Sequence, residues 1–249
     1  MLLVPPLVGR PQDVSLDGHH VDTHFDFAAI AVTVLFVVMI AIIAIALVYH
    51  RESKGARAVY DHGSSKKATW GIVGVCLAIF FVVDGALLVL SFADLNGRFW
   101  NWPTDPRTVR VEVYGQQWGW NFRYPGADGK FGTRDDIVTF NNLHIPANRP
   151  VMVRMQSSDV IHSFYLPNFR IKQDVVPGMT TQLWFQAKET GVFDIGCAQH
   201  CGANHYKMHA TLTIDDEAGY GQWESAAGLD AERRFDDTDV AAHWAWEWK

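Results

Sequence analysis

The hydrophobic residues of this chain are concentrated in two uninterrupted runs in its N-terminal part. Residues 27–49 form a run of 23 residues without a charge, and residues 68–92 form a run of 25 in which Asp84 is the single charged side chain. Crossing a bilayer takes about 20 apolar residues, so both runs are predicted to be transmembrane helices. A signal peptide is the alternative for the first run. It is disfavoured by the length of the run, by the presence of only Arg10 as an upstream basic residue and by the lack of an evident small-residue cleavage site.

The segment between the two runs is basic, and this predicts how the helices are oriented. Short basic loops stay on the cytoplasmic side of a membrane. We therefore expect a helical hairpin with the N-terminus and everything after residue 92 on the outer face. Asp84 is costly in lipid and is expected to face water or neighbouring protein, with a role in proton movement left open. The charged residues between 50 and 69 are Arg51, Lys54, Arg57, Lys66 and Lys67 against Glu52 and Asp61.

From residue 109 onward the hydrophobic pattern changes to alternation. Val109, Val111 and Val113 share one face while Arg110 and Glu112 point the other way, which predicts a half-buried strand. Turn signals rich in Pro, Gly and Asn separate further segments of this kind. Several short strands within about 100 residues favour an all-β sandwich or barrel. The further predicted strands are residues 151–155, 181–185, 191–196 and 210–214.

Negative charge is concentrated at the C-terminal end of the chain. The net formal charge is -6, and residues 215–249 contain ten acidic and three basic side chains. A solvated, partly disordered tail is the simplest expectation. Attraction of a basic soluble partner is the alternative, and Trp244, Trp246 and Trp248 weakly indicate docking on a membrane edge or a neighbouring subunit.

Soft metal ligands gather in one loop between two predicted strands. Cys197, Cys201, His205 and Met208 fall within twelve residues, and His162 lies upstream at a strand end. Thiolates, a thioether and imidazoles select copper over magnesium or calcium, and two cysteines can bridge a pair of ions. A lone histidine on an apolar stretch is usually a packed core residue, but a copper loop that needs a second imidazole favours His162 as a ligand.

Other uses of Cys197 and Cys201 fit the sequence less well. A disulfide is the simple alternative on the oxidising outer side of a membrane, but a disulfide has no use for His205 and Met208. A zinc site would be expected to show Cys-x-x-Cys or His-x-x-x-His pairs, and covalent haem attachment needs Cys-x-x-Cys-His. The loop has none of these patterns. The third cysteine, Cys76, lies in the second apolar run and is predicted to be a packing residue.

The paired helices, the strand region and the loop Cys-Ala-Gln-His-Cys-Gly-Ala-Asn-His-Tyr-Lys-Met resemble subunit II of the haem-copper cytochrome c oxidases over residues 20–215. In that family the pattern Cys-x-Glu-x-Cys-x-x-x-His-x-x-Met, with a distant His, holds the dinuclear copper centre CuA. The resemblance implies two copper ions bridged by the thiolates of Cys197 and Cys201. It implies one imidazole ligand each from His162 and His205, and weak axial donors from Met208 and the backbone carbonyl of Gln199.

The same resemblance implies the fold and the division of the chain. The expected fold is a transmembrane hairpin of two α-helices followed by an all-β, cupredoxin-like Greek-key sandwich or barrel. The expected parts are an outer-face segment at 1–26, the hairpin at 27–95, a connector at 96–108, the cupredoxin domain at 109–215 and an acidic, tryptophan-rich tail at 216–249.

One position departs from the family pattern. Gln199 stands where most of the family has Glu. The change does not affect a carbonyl ligand, but the family's Glu side chain also reaches a magnesium ion shared with subunit I. A neutral amide is a poorer ligand for a hard cation, so the sequence disfavours magnesium here.

A second segment, Tyr-Gly-Gln-Gln-Trp-Gly-Trp-Asn-Phe at 114–122, also matches the family. Its structural interpretation is an aromatic-rich strand packed on the sandwich. In the family this segment lies over the copper site, and electrons enter from cytochrome c at its first tryptophan. That position is Trp118, so the resemblance implies that Trp118 is the point of electron entry.

The resemblance thus implies subunit II of a cytochrome c oxidase, which passes electrons from cytochrome c to haem in subunit I for reduction of oxygen to water, coupled to proton translocation. The implied partners are subunit I, subunit III, a cytochrome c and the lipid bilayer, and no nucleic acid is expected. The implied location is a bacterial-type inner membrane, with the N-terminus and the copper domain on the periplasmic face.

Several alternatives share parts of this pattern. A CuA-bearing subunit of a nitric oxide reductase-type complex stays open, because copper chemistry alone does not name the final acceptor. Nitrous oxide reductase is disfavoured by the two helices and the missing catalytic domain, and quinol oxidase subunit II lacks the cysteines. A membrane-tethered copper donor would favour fewer and more exposed ligands than the six donors here.

Overall fold

The computed structural model describes residues 9–51, 53, 55, 62–234 and 238. One compact unit spans His20–Trp100, and the remaining described residues form a second unit. Part of the predicted basic loop and the three C-terminal tryptophans lie outside the described residues. These are Glu52, Lys54, Arg57, Asp61, Trp244, Trp246 and Trp248.

Two long apolar helices account for most of the first unit. Helix α1 spans Gly18–Tyr49 and helix α2 spans Lys66–Phe99. Both are long and apolar enough to cross a membrane, and their apolar side chains are exposed. Within α2, Phe80–Asp84 and Leu95–Phe99 have π-helical hydrogen bonding. The predicted pair of N-terminal helices is confirmed, and each helix extends beyond its apolar run.

The segment before α1 packs on the β-rich unit. Val14 is fully buried, and its carbonyl oxygen accepts the N–H of Lys188 at 2.8 Å. Ser15 forms an antiparallel bridge with Ala187. The Ser15 hydroxyl also accepts the N–H of Gly18 at 2.6 Å and so caps the start of α1. The sequence pattern did not predict this packing.

The second unit is a sandwich of two five-stranded sheets. The first sheet has the order β3-β2-β1-β5-β8 and the second has the order β4-β10-β9-β6-β7. The pairs β1–β5 and β4–β10 are parallel, and the other pairs are antiparallel. The predicted all-β, cupredoxin-like sandwich is confirmed. The strands are β1 Val109–Gln116, β2 Gly119–Tyr124, β3 Ile137–Phe140, β4 Asn142–Pro146, β5 Pro150–Ser157, β6 His162–Leu166, β7 Ile171–Val175, β8 Thr181–Gln186, β9 Gly191–Cys197 and β10 His209–Asp215.

The sandwich core is aromatic near the ends of β2 and β6. The ring of Trp120 packs edge-on against Phe164 at 5.4 Å and against His162 at 5.9 Å between centroids. These three side chains are fully buried. Elsewhere in the core Arg123 and Glu112 form a buried ion pair, with Arg123 Nε 2.7 Å from Glu112 Oε2. The aromatic cluster therefore connects the sandwich interior directly to His162.

A third helix covers one part of the sandwich. Helix α3 spans Glu217–Arg234, in the segment where a partly disordered tail was expected. Its Trp223 stacks on the imidazole of His144 at 4.5 Å and packs edge-on against Tyr124 at 5.1 Å between ring centroids. His144 Nδ1 lies 3.1 Å from Asp215 Oδ2. The helix was not predicted, and aromatic contacts attach it to the sheet.

Candidate metal centre

The candidate copper ligands lie where two paired strands end. β6 begins at His162, β9 ends at Cys197, and the two strands pair in the second sheet. The loop after β9 is held at both ends. The N–H of Ala198 donates to Ser163 O at 3.0 Å, and the N–H of Cys197 donates to Met208 O at 3.2 Å. Strand pairing therefore brings His162 beside a loop that is distant in the sequence.

Sulfur and nitrogen donors converge in this loop. The Sγ atoms of Cys197 and Cys201 are 3.8 Å apart, and both cysteines are free. Cys201 Sγ lies 3.5 Å from His205 Nδ1 and 3.6 Å from Met208 Sδ. The ligand atoms of His162, Cys197 and Cys201 lie within 4.8 Å of one another. The five side chains singled out in the sequence are thus close neighbours.

Gln199 presents its main chain to the same cluster. Its carbonyl oxygen lies 3.2 Å from Cys197 Sγ, whereas the residue as a whole is exposed. A carbonyl at this position can act as a further donor whatever the side chain is.

The imidazole of His162 is set up to offer one nitrogen to an ion. The ring is fully buried, and Nε2 lies 2.8 Å from Asp159 Oδ1. Nδ1 is buried and has no hydrogen-bond partner among the described residues. A ligating histidine usually donates its other N–H to a carboxylate, which fixes the tautomer. Burial disfavours the charged ring, but the nearby Cys197 thiol and Asp159 carboxylate outweigh it and raise the pKa of His162.

The two thiols differ in how readily they ionise. Burial favours the neutral thiol of Cys197, but the His162 imidazole and backbone N–H groups outweigh burial and lower the pKa of Cys197. Burial and the nearby Cys197 thiolate raise the pKa of Cys201. A second thiolate beside the first therefore needs a positive charge to compensate it. A bound metal ion would supply that charge, since thiolates are the form that ligates metals.

Two residues of the β1–β2 turn contact the ligand loop. Trp118 Nε1 donates to Cys201 O at 3.2 Å, and Gln117 Nε2 donates to the same oxygen at 2.7 Å. The main-chain N–H of Gln117 donates to Asp159 Oδ2 at 2.7 Å. The turn therefore connects the segment that holds His162 with the loop that holds the cysteines.

Sequence reasoning missed Asp159 and Gln117 as residues of this site. A carboxylate three positions before a candidate histidine was an available signal for Asp159. Gln117 had no comparable signal, because its role depends on the turn conformation. Sequence reasoning also missed Gly115. A Cβ at this position would lie 3.1 Å from His162 Cδ2 and 3.2 Å from Trp120 Cζ3, so the lack of a side chain leaves space for both rings.

The donor set fits copper. Two thiols, two imidazoles, a thioether and a carbonyl are the soft and intermediate donors that copper prefers, and magnesium or calcium would require oxygen ligands. The sulfur separation of 3.8 Å exceeds a disulfide bond of about 2.05 Å. Beside these thiols lies the buried Nδ1 of His162, which has no hydrogen-bond partner in the described part of the chain.

The fold combines two helices long and apolar enough to cross a membrane with a cupredoxin-like head, and the site is a loop of soft donors that could hold a metal ion. A family model described as cytochrome c oxidase subunit II, periplasmic domain, matches residues 109–214. An alternative cytochrome c oxidase subunit 2 of Bradyrhizobium diazoefficiens is 35% identical over 211 residues, which cover 76% of this chain and 73% of that protein. Cytochrome c oxidase subunit 2 of Cereibacter sphaeroides is 28% identical over 264 residues, covering 89% of this chain and 84% of that protein.

The chain belongs to the cytochrome c oxidase subunit II family. Among solved structures, a crystal structure of the periplasmic domain of subunit II of cytochrome oxidase from Bradyrhizobium japonicum is 26% identical. The match has a TM-score of 0.45 and covers 51% of this chain and 99% of that chain.

Proposed function

We propose that this chain is the electron-entry subunit of a cytochrome c oxidase, taking single electrons from a cytochrome c and delivering them to haem in subunit I, where oxygen is reduced to water with proton translocation. The observation that carries the proposal is the convergence of Cys197, Cys201, His205 and Met208 on one loop beside His162. Family membership supports it, since the relatives are named as oxidase subunits.

Each donor has its own part in the proposed centre. Cys197, Cys201, His162 and His205 would hold the two copper ions through thiolate sulfurs and ring nitrogens. Met208 and the carbonyl oxygen of Gln199 would be further donors. When bound, the copper would supply a one-electron redox couple.

The surrounding side chains hold these donors in place. Asp159 fixes the orientation of His162 from its far side, and strand pairing holds Cys197. Cys201 and Met208 are buried, which excludes water from that side of the centre. Because the ligands are held by a packed sandwich, they would need to move little when the charge of the centre changes.

Trp118 is the proposed entry point for electrons. Its indole is partly exposed and donates to the carbonyl oxygen of Cys201. An electron that reaches this ring from a docked cytochrome would be one hydrogen bond away from a copper ligand. We further propose that α1 and α2 span a bacterial inner membrane next to subunits I and III, with the sandwich on the periplasmic face.

Magnesium is not proposed at position 199. The exposed Gln199 side chain is a neutral amide, which is a weaker ligand than a carboxylate for this hard cation.

The decisive experiment is copper reconstitution of the whole 249-residue chain in detergent. We expect two copper ions per chain and a mixed-valence electron paramagnetic resonance signal shared by two copper nuclei. Cys201→Ser should abolish that signal. The control is Cys76→Ser, which changes the third cysteine, on α2, and should leave it intact. A mononuclear signal from the wild type, or zinc bound with no uptake of copper, would refute the proposal.

A further inference from the structure

One thiol of the candidate metal centre lies between the other donors of its loop. Cys201 Sγ is 3.8 Å from Cys197 Sγ. It is also 3.5 Å from His205 Nδ1 and 3.6 Å from Met208 Sδ. Cys197 ends β9 and is held by strand pairing, whereas Cys201 lies in the loop between β9 and β10. The position of Cys201 therefore depends on the contacts that other parts of the chain make with this loop.

The side chain of Gln117 makes the shorter of two hydrogen bonds to the carbonyl oxygen of Cys201. Gln117 Nε2 donates at 2.7 Å, and Trp118 Nε1 donates at 3.2 Å. The next residue of the loop is Gly202, where a Cβ would lie 2.8 Å from Gln117 Nε2 and 3.3 Å from the nearest atom of Trp118. The amide of Gln117 therefore occupies space that depends on the lack of a side chain at Gly202.

The main chain of Gln117 contacts the opposite side of the centre. Its N–H donates to Asp159 Oδ2 at 2.7 Å, and Asp159 Oδ1 lies 2.8 Å from His162 Nε2. One residue thus reaches the carboxylate that orients His162 with its main chain and the carbonyl oxygen of Cys201 with its side chain. A group that joins two segments bearing donors limits the movement of one segment relative to the other.

We infer that Gln117 is a positioning residue for the proposed copper centre, and that its side-chain amide holds Cys201 in place relative to His162. The inference rests on the proposed function for the identity of the metal. The hydrogen bond from Gln117 to Cys201 is present in the chain without metal, so it can be tested separately from copper. Gln117 and Trp118 then differ in what they do, because Gln117 positions a donor whereas Trp118 is the proposed entry point for electrons.

The first test is hydrogen–deuterium exchange in the metal-free 249-residue chain in detergent. Gln117→Met keeps a long, unbranched side chain but removes the amide donor. The loop at 198–208, in which the His205 N–H donates to Gly202 O at 3.1 Å, should exchange about 2- to 10-fold faster, as expected for the loss of one hydrogen bond. Gln116→Met removes the same amide from the last residue of β1. It is the matched control and should exchange as the wild type does.

The second test is copper binding by the same variants. Gln117→Met should weaken copper affinity about tenfold, as loss of an outer-shell partner does, and should change the copper hyperfine splitting in electron paramagnetic resonance. Gln116→Met should leave both unchanged. Equal exchange in Gln117→Met and the wild type would overturn the inference, and so would unchanged copper affinity and hyperfine splitting. A wild type that takes up no copper would refute the proposed function, while the exchange rates would still decide whether Gln117 holds Cys201.

Discussion

Trp118 and Cys201 are joined by a hydrogen bond of 3.2 Å from the indole N–H to a main-chain carbonyl. Gln117 donates to the same oxygen, and Gly202 makes room for both side chains. A Cβ at Gly202 would lie 2.8 Å from Gln117 Nε2 and 3.3 Å from Trp118 Cζ2, and its φ of +116° is rarely adopted by other residues. The contact between Trp118 and the ligand loop therefore depends on the backbone conformation of Gly202 and on its lack of a side chain.

Trp118→Leu should slow electron entry without changing the copper centre. The indole and its hydrogen bond to the carbonyl oxygen of Cys201 are lost, but no donor atom of the proposed centre is removed, and Gln117 still donates to the same oxygen. We expect the rate of reduction by cytochrome c in stopped-flow measurements to fall about tenfold or more, equivalent to at least ~1.4 kcal/mol in the barrier. The copper spectrum should be unchanged; if it is lost, Trp118 is chiefly structural.

Asp159→Asn should weaken copper binding by about 10- to 100-fold. Asparagine keeps the shape of the side chain but removes the negative charge that the His162 N–H faces at 2.8 Å. The measurement is competition for copper with a chelator of known affinity. Asp194→Asn, which alters an exposed carboxylate on β9, is the control. Equal affinity in both variants would mean that Asp159 does not orient the ligand.

Gly115→Ala should shift the copper spectrum and destabilise the sandwich by about 1–3 kcal/mol, the usual cost of overpacking. The added methyl group would press on the rings of His162 and Trp120, at 3.1 and 3.2 Å. Thermal unfolding and optical spectra of the copper-loaded chain provide the two readouts. Gly196→Ala is the matched control, because its Cβ would meet only Tyr165 Cδ1, at 3.9 Å. If both variants retain the wild-type spectrum, the lack of a side chain at Gly115 is not required for the geometry of the proposed copper centre.

Trp223→Ala should release α3 from the sandwich. The partly buried indole stacks on His144 and packs against Tyr124 and Tyr220, and its truncation should cost less than the 3–5 kcal/mol of a fully buried aromatic residue, about 1–3 kcal/mol. We expect faster proteolysis within α3 and a lower midpoint of thermal unfolding. Leu229→Ala changes an exposed side chain of the same helix and should have little effect. Similar protease resistance in the two variants would contradict the proposed docking.

The sequence predicted the parts of this fold whose hydrophobic pattern has a simple period. Both apolar runs are helical in the structure, and the alternating valines predicted to form a strand lie in β1 of the first sheet. The aromatic-rich strand predicted at 114–122 is divided between β1 and β2 by a turn. The bounds of β6 were not predicted, because nearly every one of its residues is buried and the strand shows no alternation. Helix α3 was missed because its contacts come from Trp223 rather than from an apolar stripe.

The candidate ligands followed from residue chemistry, but their supporting contacts did not. Cys197, Cys201, His205 and Met208 could be singled out because they are close in the sequence. Asp159 and Gln117 act through turn geometry, which depends on how β1, β2 and β6 are placed. Pairing between strands that are distant in the chain is non-local, so the residues of one segment do not show which other segment it will lie beside.

The pairing of β6 with β9 has a consequence for the order of folding. His162 and Cys197 lie in strands that β7 and β8 separate along the chain, and Met208 immediately precedes β10, the last strand of the sandwich. Contacts between distant strands form late because the intervening loops must close first. The side-chain donors proposed for copper therefore come together only when the last strand has joined the sheet, so the proposed centre would couple the ligand loop to completion of the sandwich.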